Sequence, residues 1–172
     1  MNLEITYRIL NFTDKEKYRT IRLECLKNHP QNFGTLYEDE INSNSLKFDN
    51  IISQNHETDF LLGAFIEEKL IGICGNIQED RVKTKHISEI SQMYVSPEFG
   101  GNGIATKLLN LTIEKVFSPN LVEQIILGVV KSNTQAIKLY EKAGFVQYGI
   151  LENYYKLKNN FETMVFMVLT RN

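Results

Sequence analysis

The chain has 172 residues, of which 42% are hydrophobic, 23% charged and 10% aromatic, with three prolines and ten glycines. This is the composition of one ordinary globular domain, and it excludes collagen-like, proline-rich and glycine/serine-linker architectures. Nineteen basic against 21 acidic side chains give a formal net charge of −2, which argues against non-specific binding to nucleic acid or anionic membrane, since counterion release needs a basic surface.

The N-terminal MNLEITYRIL lacks the basic, long-apolar and small-residue regions of a signal peptide. Alternation of Ile5, Tyr7 and Ile9 predicts a strand over residues 3–10. Thr13 to Glu16 (T-D-K-E) reads as a capping box. The helix behind it carries Tyr18, Ile21, Arg22, Cys25 and Leu26 at helical spacing and stops before His29-Pro30. Residues 36–54 read as two short helical pieces interrupted at Asn42–Ser45. Strands follow at 59–66 and 70–77, joined by a short hairpin link through Glu67, Glu68 and Lys69. A charged loop spans 79–86, and a further strand spans 87–95.

A glycine-rich turn, SPEFGGNG, leads into a helix over 104–117. Its apolar face is Ile104, Leu108, Leu109, Ile113, Val116 and Phe117. The run at 123–130 is nearly continuous in apolar residues, which suits a strand buried on both faces. Ser132 to Gln135 (S-N-T-Q) reads as a second capping box, opening a helix that runs to Ala143 and is closed by Gly144. Two more strands are predicted at about 145–156 and 161–169. No composition shift or repeat divides the chain. The expectation is a single α+β domain over 1–172, with a mixed sheet of six or seven strands and about four helices.

Cys25 and Cys74 lie in apolar segments and form no C-x-x-C pair, so they read as buried thiols of a reducing compartment. His29, His56 and His86 lie far apart, without metal-ligand spacing. No apolar run approaches the ~20 residues that span a bilayer. The expectation is a cytoplasmic protein with no metal.

The turn Gly100-Gly101-Asn102-Gly103 is the first chemically informative feature. A helix start leaves N–H groups without intrahelical partners and carries partial positive charge, while glycines let a ligand approach the backbone. Together these suit phosphate; a tight strand-to-helix turn that binds nothing has the same pattern. Ile104 follows Gly103, so the P-loop lysine is missing, and Thr106 breaks the dinucleotide fingerprint.

The run Met93 to Ala105 (MYVSPEFGGNGIA) resembles the acetyl-CoA signature of the GNAT superfamily of N-acetyltransferases, Q/R-x-x-G-x-G/A, whose last two anchors are matched by Gly103 and Ala105. Asn133-x-x-Ala136-x-x-Leu139-Tyr140-x-x-x-Gly144-Phe145 resembles the family's second motif without a gap. The two motifs cover roughly residues 87–146. One departure is Gly100, where the family usually has Arg or Gln; this removes a side chain near the pyrophosphate and leaves backbone N–H groups to bind it.

The resemblance implies a three-layer α/β/α-type fold, mostly antiparallel and splayed between the fourth and fifth strands, with acetyl-CoA as cosubstrate. It implies that Met93, Tyr94 and Val95 hold the pantetheine arm and thioester, and that Gly100, Gly101, Asn102, Gly103, Ile104 and Ala105 hold the pyrophosphate. Asn133 and Ala136 line the cofactor from the next helix, and Tyr140 is the general acid toward the departing thiolate. Protonated at neutral pH, a phenol suits that role. Glu89 is the candidate base, or equally a solvated strand carboxylate; period two places it on one face with Ser91 and Met93 unless a bulge changes the phase.

Phe33, Tyr37 and Glu38 are candidates for the acceptor wall, where carboxylates beside aromatics suit a cationic amine; a solvated acidic helix start reads the same way. Tyr154 and Tyr155 are candidates for the opposite wall. The expected activity is acetyl transfer to a primary amine, either a small molecule such as a polyamine or a protein N-terminus, with a homodimer through the C-terminal strands by analogy. The alternatives are a CoA-binding module of this fold without turnover, and an unrelated phosphate-binding α+β protein.

Overall fold

The computed structural model describes residues 4–54 and 56–171. Seven strands form one sheet: β1 (Ile5–Ile9), β2 (Phe60–Ile66), β3 (Lys69–Gln78), β4 (Ile87–Val95), β5 (Gln124–Val130), β6 (Val146–Leu157) and β7 (Asn160–Thr170). Their spatial order is β1-β2-β3-β4-β5-β7-β6, and every neighbouring pair is antiparallel except β4 with β5. The helices are α1 (Lys15–Asn28), α2 (Tyr37–Ile41), α3 (Asp49–Gln54), α4 (Ile104–Phe117) and α5 (Thr134–Lys142). The expected α+β class and mixed sheet are thus observed. Residue 3 of the expected first strand lies outside the described residues.

Strand alternation sends side chains into two apolar clusters, one on each face of the sheet. On one face, Ile104, Leu108, Leu109 and Val116 of α4 pack over Ala64, Ile71, Cys74, Ile90, Ile125 and Leu127, joined by Tyr140 and Phe145. On the other, Tyr18, Ile21, Cys25 and Leu26 of α1 pack with Phe48 and Ile52 over Leu61, Phe65, Ile73 and Tyr94. Each such aliphatic side chain contributes about 1.5–3 kcal/mol by leaving water. The buried set of α1, including Arg22, is the one its helical spacing predicts.

The helix starts differ from the capping-box expectations. Asn11 is the first cap: its side chain accepts from the Thr13 N–H at 3.0 Å while Asp14 accepts from the Asn11 N–H at 3.0 Å, in a 3-10 turn (Phe12–Asp14) ahead of α1. Asp14 is buried against Arg8 at 2.6 and 2.8 Å, so the chain is anchored before Thr13 could serve. At α5 the cap is Asn133, which accepts from the Ala136 N–H at 3.2 Å, while Ser132 reaches Glu162 at 2.7 Å on β7. Gly144 closes α5 at φ +97°, a conformation in which a Cβ is strained. The strand at β5 is not covered on both faces: Ile125, Leu127 and Val129 enter the α4 core, whereas Ile126 and Gly128 line an open cleft.

Candidate active site

β4 and β5 pair through only three residues, Ile87 with Gln124, Ser88 with Ile125 and Glu89 with Ile126. Beyond these, β4 remains paired with β3 as far as Val95, and β5 with β7 as far as Val130. The facing edges therefore diverge from Ile90 and Leu127 onward, leaving strand-edge N–H and C=O groups turned into the gap. A β-bulge accompanies the divergence. Tyr94 opposes Ile73 but Ser91 opposes Gly75, so Cys74 faces two residues of β4, and Gln92 takes φ +55°. The Gln92 side-chain oxygen Oε1 accepts from the Tyr18 hydroxyl at 2.8 Å.

The bulge overturns the expected alignment of Glu89, Ser91 and Met93. Met93 packs against the α4 cluster, while Ser91 lies 3.4 Å from Lys47 Nζ on the α1 side. Ile90 enters the α4 cluster, so Glu89 shares the α1 face with Ser91.

A cleft of about 1140 Å³ fills the gap. Its walls include Ala105, Asn133, Ala136 and Tyr140 from the α4/α5 layer and Arg22, Phe33 and Glu40 from the α1/α2 layer. It thus passes through the sheet.

On the α4/α5 side, Gly100, Gly101, Ala105, Asn133, Ala136 and Tyr140 line the cleft; along β4, Met93 and Val95 line it toward that layer and Glu89 and Tyr94 toward the α1 layer. Gly101 and Gly103 have φ of +79° and +73°, and an added Cβ at either would meet nothing within 4 Å. Gly103 caps α4 without any side-chain hydrogen bond, leaving the first-turn N–H donors for an anion.

Three residues expected at the pyrophosphate do not line the cleft. Asn102 folds its amide back onto the Phe99 and Gly100 carbonyls at 3.2 Å each, Gly103 sits outside as the cap, and Ile104 is buried in the core. Tyr94 offers only backbone, because its hydroxyl donates to Glu24 at 2.9 Å and its ring meets His29 edge-on at 6.0 Å.

Asn133, Ala136 and Tyr140 lie at helical spacing on the α5 face that looks into the cleft. Tyr140 is buried, with its ring edge-on to Phe145 at 5.8 Å. Burial, with Cys74 beside it, holds its phenol above the ordinary value of 10.0.

The α1/α2 side departs most from expectation. Phe33 lines the cleft, but Tyr37 packs into the α1 cluster and Glu38 is exposed on α2. The carboxylate that points inward is Glu40, and it is engaged by Arg22 through two hydrogen bonds of 2.9 and 2.8 Å. Arg22 also lies 5.2 Å above the Phe33 ring. This buried pair escaped sequence reasoning, although Arg22 on the apolar stripe of α1 was a signal that a buried partner exists. Tyr154 and Tyr155 line the opposite wall. Burial, then Tyr154 and Glu89, raises the Tyr155 phenol above its ordinary value.

Among the described residues, no group of three or more His, Cys, Asp or Glu could hold a metal ion, and no helix is long and apolar enough to cross a membrane.

A sheet opened between two parallel strands, with an uncapped glycine turn at one side of the opening and a buried phenol facing it, has the shape and donors that suit an extended, anion-bearing ligand. Residues 14–145 match the acetyltransferase (GNAT) family, and the chain belongs to that family.

The spermidine N(1)-acetyltransferase of Vibrio cholerae serotype O1 is 26% identical over 104 residues, covering 60% of this chain; the chain spans 60% of that relative's length. Among solved structures, an acetyltransferase of the GNAT family from Streptococcus pneumoniae superposes with a TM-score of 0.83 at 22% identity, covering 98% of this chain and all of the other. The yncA protein of Salmonella typhimurium, solved with its cofactor acetyl-CoA, gives 0.79 at 16% identity over 97% and 94% of the two chains. At these identities the solved structures establish the shared fold.

Proposed function

We propose that the protein transfers the acetyl group of acetyl-CoA to a primary amine by direct attack within a ternary complex. The observation that carries this reading is the passage through the sheet between β4 and β5, with Tyr140 facing it from one layer and Glu89 on the face of the other.

The open edges of β4 near Met93 and Val95 suit an arm that pairs like an added strand. The bare turn at Gly100, Gly101 and Ala105 suits a pyrophosphate, bound through backbone N–H groups rather than a side chain at position 100. Asn133 spends its side-chain oxygen on the cap, which leaves its NH₂ group for the cofactor. The cosubstrate supplies an activated acyl thioester. Tyr140, kept protonated by burial, donates a proton toward the leaving sulfur, and Glu89 accepts the proton of the attacking amine.

Both thiols, Cys25 and Cys74, are free and buried, which supports action in a reducing, cytoplasmic compartment. The homodimer expected at the C-terminal strands would use β6, one of the sheet's two edge strands, where Val146, Ile150 and Leu151 are exposed; sedimentation of the purified protein tests it.

The activity test is thiol release from acetyl-CoA with a panel of amines. Acceptor-dependent release that is lost in Tyr140→Phe supports the proposal. Tight acetyl-CoA binding without release for any amine favours the non-catalytic module.

A further inference from the structure

The cleft also constrains what kind of amine it accepts, and this inference rests on the reading of the cleft as an acetyl-transfer site. Four formally charged side chains line it: Arg22, Glu40, Lys47 and Glu89. Arg22 and Glu40 neutralise each other through a two-pronged contact, both are almost fully buried, and neither has charge to spare for a ligand. His29, the remaining basic side chain in the lining, packs edge-on against Tyr94. What is left for an acceptor is one carboxylate, Glu89, and one ammonium, Lys47.

These two groups are placed together. Lys47 makes no ion pair among the described residues, and its Nζ rests 3.4 Å from the Ser91 hydroxyl. Ser91 and Glu89 sit on the same face of β4, one strand repeat apart, a spacing of about 7 Å. Aromatic rings of Phe33, Tyr154 and Tyr155 enclose the space beside them. A polyamine carries several ammonium groups, and one that reached toward Lys47 from Glu89 would meet a like charge.

We propose that the acceptor is a primary amine carrying a carboxylate a short distance from its amino group, as in an α-amino acid. Its ammonium docks on Glu89, which then takes the proton, while Lys47 holds the carboxylate. Each charge of the ligand is then met by one charged hydrogen bond. The aromatic wall receives an apolar side chain.

The test is calorimetric binding of free α-amino acids, their amides and spermidine to the CoA-bound protein, run beside thiol release with acetyl-CoA. A peptide with an acidic second residue and an amidated C-terminus separates a side-chain carboxylate from a free α-carboxylate. At least one carboxylate-bearing amine is expected to bind more tightly than its amide and than spermidine. Lys47→Glu should weaken that ligand by about tenfold or more, the worth of one charged hydrogen bond, and strengthen spermidine.

Tighter binding of spermidine by the unaltered protein, absence of binding by every carboxylate-bearing amine, or an unchanged preference in Lys47→Glu overturns the proposal. Lys47-dependent binding without thiol release upholds the acceptor class and refutes the transfer reaction instead. Release with spermidine alone upholds transfer and refutes the acceptor class.

Discussion

Glu89 and Ile126 form the last backbone pair between β4 and β5, and everything the cleft does begins one residue beyond them. The parallel pairing holds for three residues, and then the bulge at Gln92 carries β4 away while β7 keeps β5 in place. A sheet interior is thereby given two free edges, a feature that otherwise occurs only at its margins. A cosubstrate that pairs with one of these edges lies within reach of α5 on one face and of the α1 layer on the other.

Tyr140→Phe tests the acid without disturbing the frame. The change removes one oxygen and keeps the ring against Phe145. We expect kcat for thiol release to fall by about 10²–10⁴-fold, the range for a lost general acid. Acetyl-CoA affinity and the urea midpoint should stay close to those of the unaltered protein. A small fall in kcat would remove Tyr140 from the chemistry.

Gly101→Val tests the turn. At φ +79° a β-branched residue is strained by about 1–2 kcal/mol, and its side chain would stand in the open space beside the α4 start. Acetyl-CoA binding, measured by calorimetry, should weaken by at least about tenfold as the backbone donors are screened. A loss of stability with unchanged affinity would place the pyrophosphate elsewhere.

The Arg22–Glu40 pair should show strong coupling. Removing one partner, as in Arg22→Met or Glu40→Gln, leaves a buried charge uncompensated and should cost about 3–5 kcal/mol in urea unfolding. The double variant Arg22→Met/Glu40→Leu should recover most of that loss, because neither charge is then left behind. Additive losses would show that the pair is not coupled.

Stability should decline on the alkaline side. Burial pushes both the Cys25 and Cys74 thiols up to about 12 from 9.0, and raises the Tyr18, Tyr94 and Tyr140 phenols above 10.0. The fold therefore favours the protonated forms. This contribution is complete below about pH 9, where the unfolded thiols are also protonated, and is lost progressively as pH rises toward 12. Urea midpoints measured from pH 7 to 11 should be level and then fall, and Cys74→Ala should reduce the slope. A midpoint constant to pH 11 would contradict this account.

Much of the frame could be read from the chain alone. Tyr18, Ile21, Arg22, Cys25 and Leu26 announce the buried stripe of α1 because a helix repeats within a few residues. Gly144 and the Gly101–Gly103 turn are legible because positive φ favours glycine. Asn133 and Tyr140 were found through the motif spacing of α5, and both line the cleft. The caps differ from Thr13 and Ser132 because of partners outside the local pattern: Arg8 holds Asp14, which closes the turn on Asn11, and Glu162 of β7 takes the Ser132 hydroxyl, so Asn133 caps α5.

Local periodicity thus determined the elements, their buried stripes and the residues of the glycine turn, because each depends on neighbours within about two helical turns. The tertiary structure decided the rest. It inserted β7 between β5 and β6, opened β4 from β5, and let one bulge move Met93 to the face opposite Ser91. It joined Arg22 to Glu40 across 18 residues, which left Glu89 and Lys47 as the charged side chains of the cleft without an ion pair among the described residues. Pairing between distant segments sets strand register and the neutralisation of buried charge, and neither is written in the spacing of any one segment.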